Sequence, residues 1–225
     1  MIETVRSHFA RPTSEYLGMD AEDYRAIVAT AQSDLNQRSL TRRIAFDRID
    51  LLGDVLATKE ILIQRNLHLR ATRPQVKSLQ ENVGWHRESF YGAGVERCIN
   101  FWAPIANVTA ENTLRYVPNS HLIPEDRIET VRIEDPTTPK FSAGHKIGLN
   151  YAPKQIVSGV DFSKQRAFDV SVGQAAIFSG ALIHGAAENR SNNIRFSIDF
   201  RLIAQEAFGG RALLVGGNEN YYEPL

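Results

Sequence analysis

Apolar positions along this chain recur first at helical spacing and later at every second residue. Tyr24, Ile27, Val28, Ala31 and Leu35 share one helical face. Asp20, followed by Glu22 and Asp23, marks that helix's start: a cap and then acids in the first turn. A second helical pattern covers about 45–60, with Phe46, Ile49, Leu52 and Leu56 on one side. From about residue 61 the period changes. Segments 61–70, 77–90, 95–105 and 113–118 read as strands, separated by turn-forming Gly92, Gly94, Pro104, Pro118, Asn119 and Pro124. Strands resume at about 168. The clearest runs over 194–202, with Arg195, Ser197, Asp199 and Arg201 on one face and Ile194, Phe196, Ile198, Phe200 and Leu202 on the other.

Helices followed by many short strands predict a mainly β (α+β) fold. The expected architecture is a double-stranded β-helix (jelly roll) with N-terminal helices packed on one sheet. The reading is one domain, 1–225. Residues 1–60 form its helical support, 61–205 its jelly-roll core, with an active-site loop region at 133–165, and 206–225 a Gly-rich tail that is loose or mobile.

Composition narrows the function. Lys+Arg and Asp+Glu both total 26, which argues against the broad basic surface that tracks nucleic acid. A single cysteine, Cys98, excludes an intramolecular disulfide and a zinc site built on cysteines; it reads as a small buried hydrophobe. The first residues, MIETVRSHFARP, lack a secretory apolar run, and no stretch is long and apolar enough to span a membrane. A cytoplasmic protein acting on a small molecule is the expectation.

His86 and Glu88 flank Arg87 in GWHRESF. On a strand, i and i+2 point the same way, so both would reach one metal ion while Arg87 points away. Such a short motif arises by chance and needs a third ligand. His184, followed by Gly185, Ala186 and Ala187, is the best candidate. Two histidines and a carboxylate with open positions are the facial triad of non-haem Fe(II) oxygenases. The turn-rich ENRSNN (188–193) then predicts a hairpin, with 184 opposite about 197 and 186 opposite about 195. Arg195 and Ser197 would share the face of His184, a guanidinium fork and a hydroxyl suited to a small dicarboxylate.

With these parts the chain resembles the Fe(II)/2-oxoglutarate-dependent oxygenases of the phytanoyl-CoA dioxygenase-like family. That family's pattern is H-x-D, a distal His and an Arg about ten residues on; here it is His86-Arg87-Glu88, His184 and Arg195-Phe196-Ser197. A second signature, a Trp strand leading to N-G-x-L-x-x-x-P-G-S-H, is matched by FWAPIANVTAENTLRYVPNSH, 101–121. Glu88 replaces the commoner Asp, and Asn119 the turn's Gly. The resemblance implies Fe(II) on His86, Glu88 and His184. It implies 2-oxoglutarate gripped by Arg195 with Ser197, and O2 as the oxidant. Asn100 and Trp102 would line the cosubstrate pocket. The implied reaction couples oxidative decarboxylation of 2-oxoglutarate to C–H oxidation, by hydroxylation or oxidative cyclisation. The expected substrate is a small polar metabolite, sugar-containing or amino-acid-derived, from a biosynthetic pathway.

Blander roles stand beside these. Arg195 fits a surface pair with Glu188, and Asp199 with Arg201 fits a structural ion pair. His121 would hold its turn, and His68 would be an ordinary strand residue. His145, Lys146 and Tyr151 are the loop candidates for substrate contact. Two other classes remain open: a cupin-type metalloenzyme that does not use 2-oxoglutarate, for which Arg195 has no purpose, and a non-catalytic jelly-roll sugar-binding module.

Overall fold

Five helices open the chain in the computed structural model, which describes residues 1–76, 83–91, 95–132, 154–208 and 221–225. They are α1 (Ile2–His8), α2 (Thr13–Leu17), α3 (Ala21–Gln37), α4 (Leu40–Phe46) and α5 (Ile49–Leu56). Asp20 caps α3 by accepting from the Glu22 amide, as its sequence predicts. The helical pattern expected over 45–60 is two helices, broken at Asp47 and Arg48. The break turns Phe46 out, 64 % exposed, while Leu52 enters the core.

The strands are β1 (Ile61–Gln64), β2 (His68–Thr72), β3 (Ile99–Ala106), β4 (Leu114–Tyr116), β5 (Glu129–Arg132), β6 (Lys154–Ser158), β7 (Arg166–Ala167), β8 (Ala176–Ser179), β9 (His184–Ala186), β10 (Arg195–Ala204) and β11 (Tyr222–Pro224). Among the described residues they form a large antiparallel sheet in the order β11-β1-β10-β3-β8, with β2 also on β10, a smaller sheet β7-β4-β9, and the ribbon β5-β6. The expected strand 61–70 is thus two strands that pair successively along one edge of β10.

β10 organises the fold. Its even residues, Phe196 to Leu202, pack with Tyr24, Val28, Ala31 and Leu35 of α3 into the main core. Polar side chains fasten the helix to the sheet edge: Gln32 Oε1 accepts from the Leu69 amide and Asn36 Oδ1 from the Leu67 amide, both at 2.9 Å. The odd face is buried as well, with Ser197 fully covered and Arg195 and Arg201 nearly so. A buried row of charge needs partners, so this face closes on a polar cavity and not on solvent.

Three expectations change. Residues 77–82 of the strand expected at 77–90 lie outside the described residues; beyond them the chain makes one bridge at His86 and then a 3-10 turn, Glu88–Tyr91. Of the expected loop 133–165, 133–153 lie outside the described residues, while Lys154–Ser158 is a strand paired with β5. Of the expected Gly-rich tail 206–225, residues 209–220 lie outside the described residues; Glu206–Phe208 is a 3-10 turn, and β11 pairs with β1, Leu62 opposite Pro224 and Gln64 opposite Tyr222. Among the described residues no helix is long and apolar enough to cross a membrane.

Candidate metal centre

His86 and His184 face each other through a backbone bridge. The His86 amide donates to the His184 carbonyl at 2.9 Å, and the His184 amide returns the bond at 3.0 Å. Each ring then settles the same way. Nδ1 of His86 lies 2.8 Å from the Gly84 carbonyl and Nδ1 of His184 2.9 Å from the Leu182 carbonyl. A carbonyl only accepts, so each Nδ1 carries the proton and each Nε2 is left with its lone pair. Both Nε2 atoms face Glu88 Oε1, at 3.9 Å and 3.6 Å. One ligand atom from each residue lies within 4.8 Å of the others, and all three residues are buried.

The electrostatics suit a cation. Burial, then the adjacent His184, pushes His86 down to about 3, and burial also lowers His184. Burial alone would raise Glu88, but the charge of Arg201, helped by both histidines, holds it below its ordinary value. At neutral pH the set is two free imidazoles and a carboxylate, the protonation state a metal ion requires.

Glu88 does not get there as a strand neighbour of His86. It opens the 3-10 turn, and its amide donates to the Gly180 carbonyl at 2.8 Å. Gly180 in turn packs tightly on the 95–98 segment, where a Cβ would lie 2.6 Å from Cys98 Sγ. Arg87 does point away: its two terminal nitrogens donate to the carbonyls of Ile123 and Ser120. With Ser120 Oγ accepting from the Ile183 amide, these bonds hold the 118–123 turn, while His121, expected to do so, is exposed. Asn119 takes the left-handed conformation, φ 63, expected of a residue in glycine's place.

The predicted hairpin is not formed. β9 pairs with β4 and β10 with β2 and β3, so His184 and Arg195 sit on facing sheets. The reason is Asn189, fully buried, whose Nδ2 donates to the Thr72 and Asn193 carbonyls and whose Oδ1 accepts from Asn112 and Ser191. Those bonds turn the chain across the sandwich instead of back along it. The two residues still meet, because both line one cleft between the sheets, together with His86, Glu88, Asn100 and Trp102. Among the described residues, Arg195 Nε and Asn100 Nδ2 of the cleft lining are buried without a hydrogen-bond partner, as is Ser197 Oγ, whose residue is not part of that lining. Unpaired buried donors are costly, which marks this end of the cleft as built for an acceptor-rich ligand. Arg195 is fixed there by donating to the Asn112 carbonyl at 3.0 Å and Thr72 Oγ1 at 2.9 Å, so it is no surface partner of Glu188, which pairs with Arg190. Burial and then Arg70 lower Arg195 to about 10, still charged at neutral pH.

The pairing of Asp199 with Arg201 also fails. Asp199 is held by Arg70, at 2.6 and 3.1 Å, and by His68 Nδ1 at 3.2 Å, which makes His68 part of a buried network and not an ordinary strand residue. Arg201 instead meets Glu88, Nε to Oε2 at 2.6 Å. Sequence reasoning missed Arg201, Arg70 and Tyr221; the only signal was Arg201's place on the polar face of β10. His145, Lys146 and Tyr151 lie outside the described residues. Cys98 is a buried apolar contact of Leu62 and Ile203, as expected.

No curated protein matches the sequence significantly. Among solved structures, EvdO2 from Micromonospora carbonacea var. aurantiaca aligns with TM-score 0.54 at 18 % identity, over 77 % of this chain and 65 % of its own. The non-heme monooxygenase ThoJ, in its apo form, aligns with TM-score 0.50 at 17 % identity, over 91 % of this chain and 70 % of its own. The epimerase SnoN, in complex with Fe3+, alpha ketoglutarate and nogalamycin RO, gives 0.50 at 16 %, over 76 % and 61 %. The chain thus spans less than two thirds of EvdO2 and of SnoN, and at these identities the likeness is one of fold. The phytanoyl-CoA dioxygenase (PhyH) profile, however, matches residues 3–197, most of the chain, and on that match this protein belongs to the phytanoyl-CoA dioxygenase family of non-haem iron and 2-oxoglutarate-dependent enzymes.

Proposed function

We propose that this protein is an Fe(II)- and 2-oxoglutarate-dependent oxygenase in which His86, Glu88 and His184 hold the metal. The observation that carries the reading is the convergence of two Nε2 lone pairs and one carboxylate oxygen, with both Nδ1 atoms tied to backbone carbonyls. Iron with 2-oxoglutarate and O2 supplies oxidative decarboxylation coupled to oxidation of a substrate C–H bond. Arg195, with Ser197, would pair with the distal carboxylate of 2-oxoglutarate, and Asn100 and Trp102 would wall its chain. Charge supports this: the cleft is lined by three guanidiniums, of Arg70, Arg195 and Arg201, against the two carboxylates of Glu88 and Asp199. One positive charge is in excess before a divalent ion enters and about three after it, so the cleft favours an anionic occupant such as a dicarboxylate. A cupin-type enzyme without 2-oxoglutarate would leave the buried Arg195 unexplained, and a sugar-binding module would leave the three converging donors so.

We read the large and small sheets as the two halves of a double-stranded β-helix, and 1–225 as one domain supported by its helical first 60 residues. The substrate in this reading is a small polar metabolite oxidised at carbon, sugar-containing or amino-acid-derived; SnoN, solved with nogalamycin RO, is the analogy for a small-molecule substrate in this fold. The test is anaerobic addition of Fe(II) and 2-oxoglutarate to the metal-free protein. A weak visible charge-transfer band from the chelated keto acid is expected, and its absence at saturating concentrations overturns the assignment.

A further inference from the structure

The two carboxylate oxygens of Glu88 have different surroundings. Oε1 faces His86 Nε2 and His184 Nε2 at 3.9 and 3.6 Å, while Oε2 lies 2.6 Å from Arg201 Nε. Arg201 is itself held. Its Nη1 donates to the Tyr221 hydroxyl and lies 3.4 Å from Gln64 Oε1, and its guanidinium sits 5.5 Å above the Tyr91 ring. Tyr221 in turn donates to Gln64 Oε1 at 2.8 Å. The C-terminal residues bring Tyr221 here, because β11 pairs with β1 beside β10. A chain of contacts therefore runs from Tyr221 to Arg201 to Glu88 and stops at the candidate metal ligand.

We propose that Arg201, braced by Tyr221 and Gln64, is a positioning residue that occupies Glu88 Oε2 and so leaves Oε1 alone to bind the metal. The inference rests on the metal reading of His86, Glu88 and His184. Glutamate has one more rotatable bond than the aspartate common at this place, so its carboxylate needs an external hold to present one oxygen in a fixed direction. A carboxylate bound through one oxygen also leaves three positions of a six-coordinate ion open.

The sign of one measurement separates positioning from charge. A guanidinium beside a ligand opposes the arriving cation, so if charge were its whole effect, Arg201→Gln would tighten metal binding. If Arg201 orients the carboxylate, the same change weakens binding. Mn(II) is the probe, with the free ion followed by electron paramagnetic resonance in titrations of the full-length protein. Arg201→Gln should raise the dissociation constant about tenfold, the lower end of what outer partners of metal ligands contribute, and Arg201→Lys should recover part of that loss. Tyr221→Phe, which removes one brace of Arg201 just before β11, should shift it in the same direction by about threefold, below the tenfold or more of a direct outer partner because Tyr221 acts through Arg201. Mn(II) binding in Arg201→Gln that is as tight as wild type, or tighter, overturns the proposal. Should that variant fail to fold, an unchanged constant in Tyr221→Phe overturns it. Wild-type protein that binds no Mn(II), or Glu88→Gln that binds it normally, contradicts the metal site itself and is a separate outcome.

Discussion

His86 and His184 exchange both backbone hydrogen bonds, at 2.9 and 3.0 Å, so the candidate ligands are fixed to one another by main chain before any metal binds. The consequence is that side-chain removal should empty the site without dismantling it. His184→Ala keeps the bridge and the strand pairing of Tyr116 with residue 184. We expect it to abolish the charge-transfer band while its metal-free melting temperature stays within a few degrees of wild type, since a buried, desolvated imidazole adds little stability. Spectra and melting curves on the same preparation check both halves. An intact band would remove His184 from the ligand set.

Arg195 should behave differently. Its terminal nitrogens serve the Asn112 carbonyl and Thr72 Oγ1, so Arg195→Ala strands two buried acceptors. The cost should be about 1–3 kcal/mol of stability. In the same variant the 2-oxoglutarate concentration needed for half-maximal band intensity should rise at least tenfold, with Fe(II) affinity little changed. Equal losses for metal and cosubstrate would mean that Arg195 supports the site generally and has no particular claim on 2-oxoglutarate.

How far the sequence foretold these parts depended on the range of the interactions. The alternation along 195–201 announced a polar face because strand geometry is local. Glu88 was found for a partly wrong reason: residue type marked it, but its approach depends on Gly180, more than ninety positions away. The ENRSNN turn misled because asparagines favour a hairpin and a crossover equally; Thr72 and Asn112, which accept and supply the bonds of Asn189, are remote in sequence. Arg201 was assigned the nearest acid on its own face. Two residues apart on a strand are about 7 Å apart, and Arg70, paired opposite Ser197, took Asp199 from the neighbouring strand.

Acid should unfold the metal-free protein through its histidines. Burial lowers His68, His86 and His184, the second to about 3. Well above pH 6.5 neither folded nor unfolded forms bind these protons, so stability there is unaffected by them. Below it the unfolded chain takes up protons that the folded one refuses, and stability falls as pH falls. A group contributes at most about 1.4 kcal/mol per pH unit while its folded form stays neutral, in a window that for His86 extends down to about pH 3. Urea unfolding at half-unit steps from pH 7.5 to 5 measures the slope. His68→Gln should reduce it, since burial lowers His68 as well. A flat profile over that range would mean the imidazoles are not held neutral.

Gly180 tests whether the metal site and the buried cysteine share one packing constraint. A Cβ at 180 would stand 2.6 Å from Cys98 Sγ and 3.0 Å from the carbonyls of Cys98 and Val95. The Gly180 carbonyl also accepts from the Glu88 amide, and its own amide donates to the Cys98 carbonyl at 2.7 Å. Gly180→Ala must therefore push the segment outward, at about 1–3 kcal/mol for overpacking, and carry Glu88 with it. Weaker Fe(II) binding should accompany the lost stability. Because the nearest clash is with a side chain, Cys98→Ala should relieve part of it: the double variant should be more stable than Gly180→Ala alone, although Cys98→Ala by itself leaves a small cavity and destabilises. Recovery should stay incomplete, since two backbone oxygens remain at 3.0 Å. Strictly additive losses in that cycle would place the strain elsewhere and separate Gly180 from the placement of Glu88.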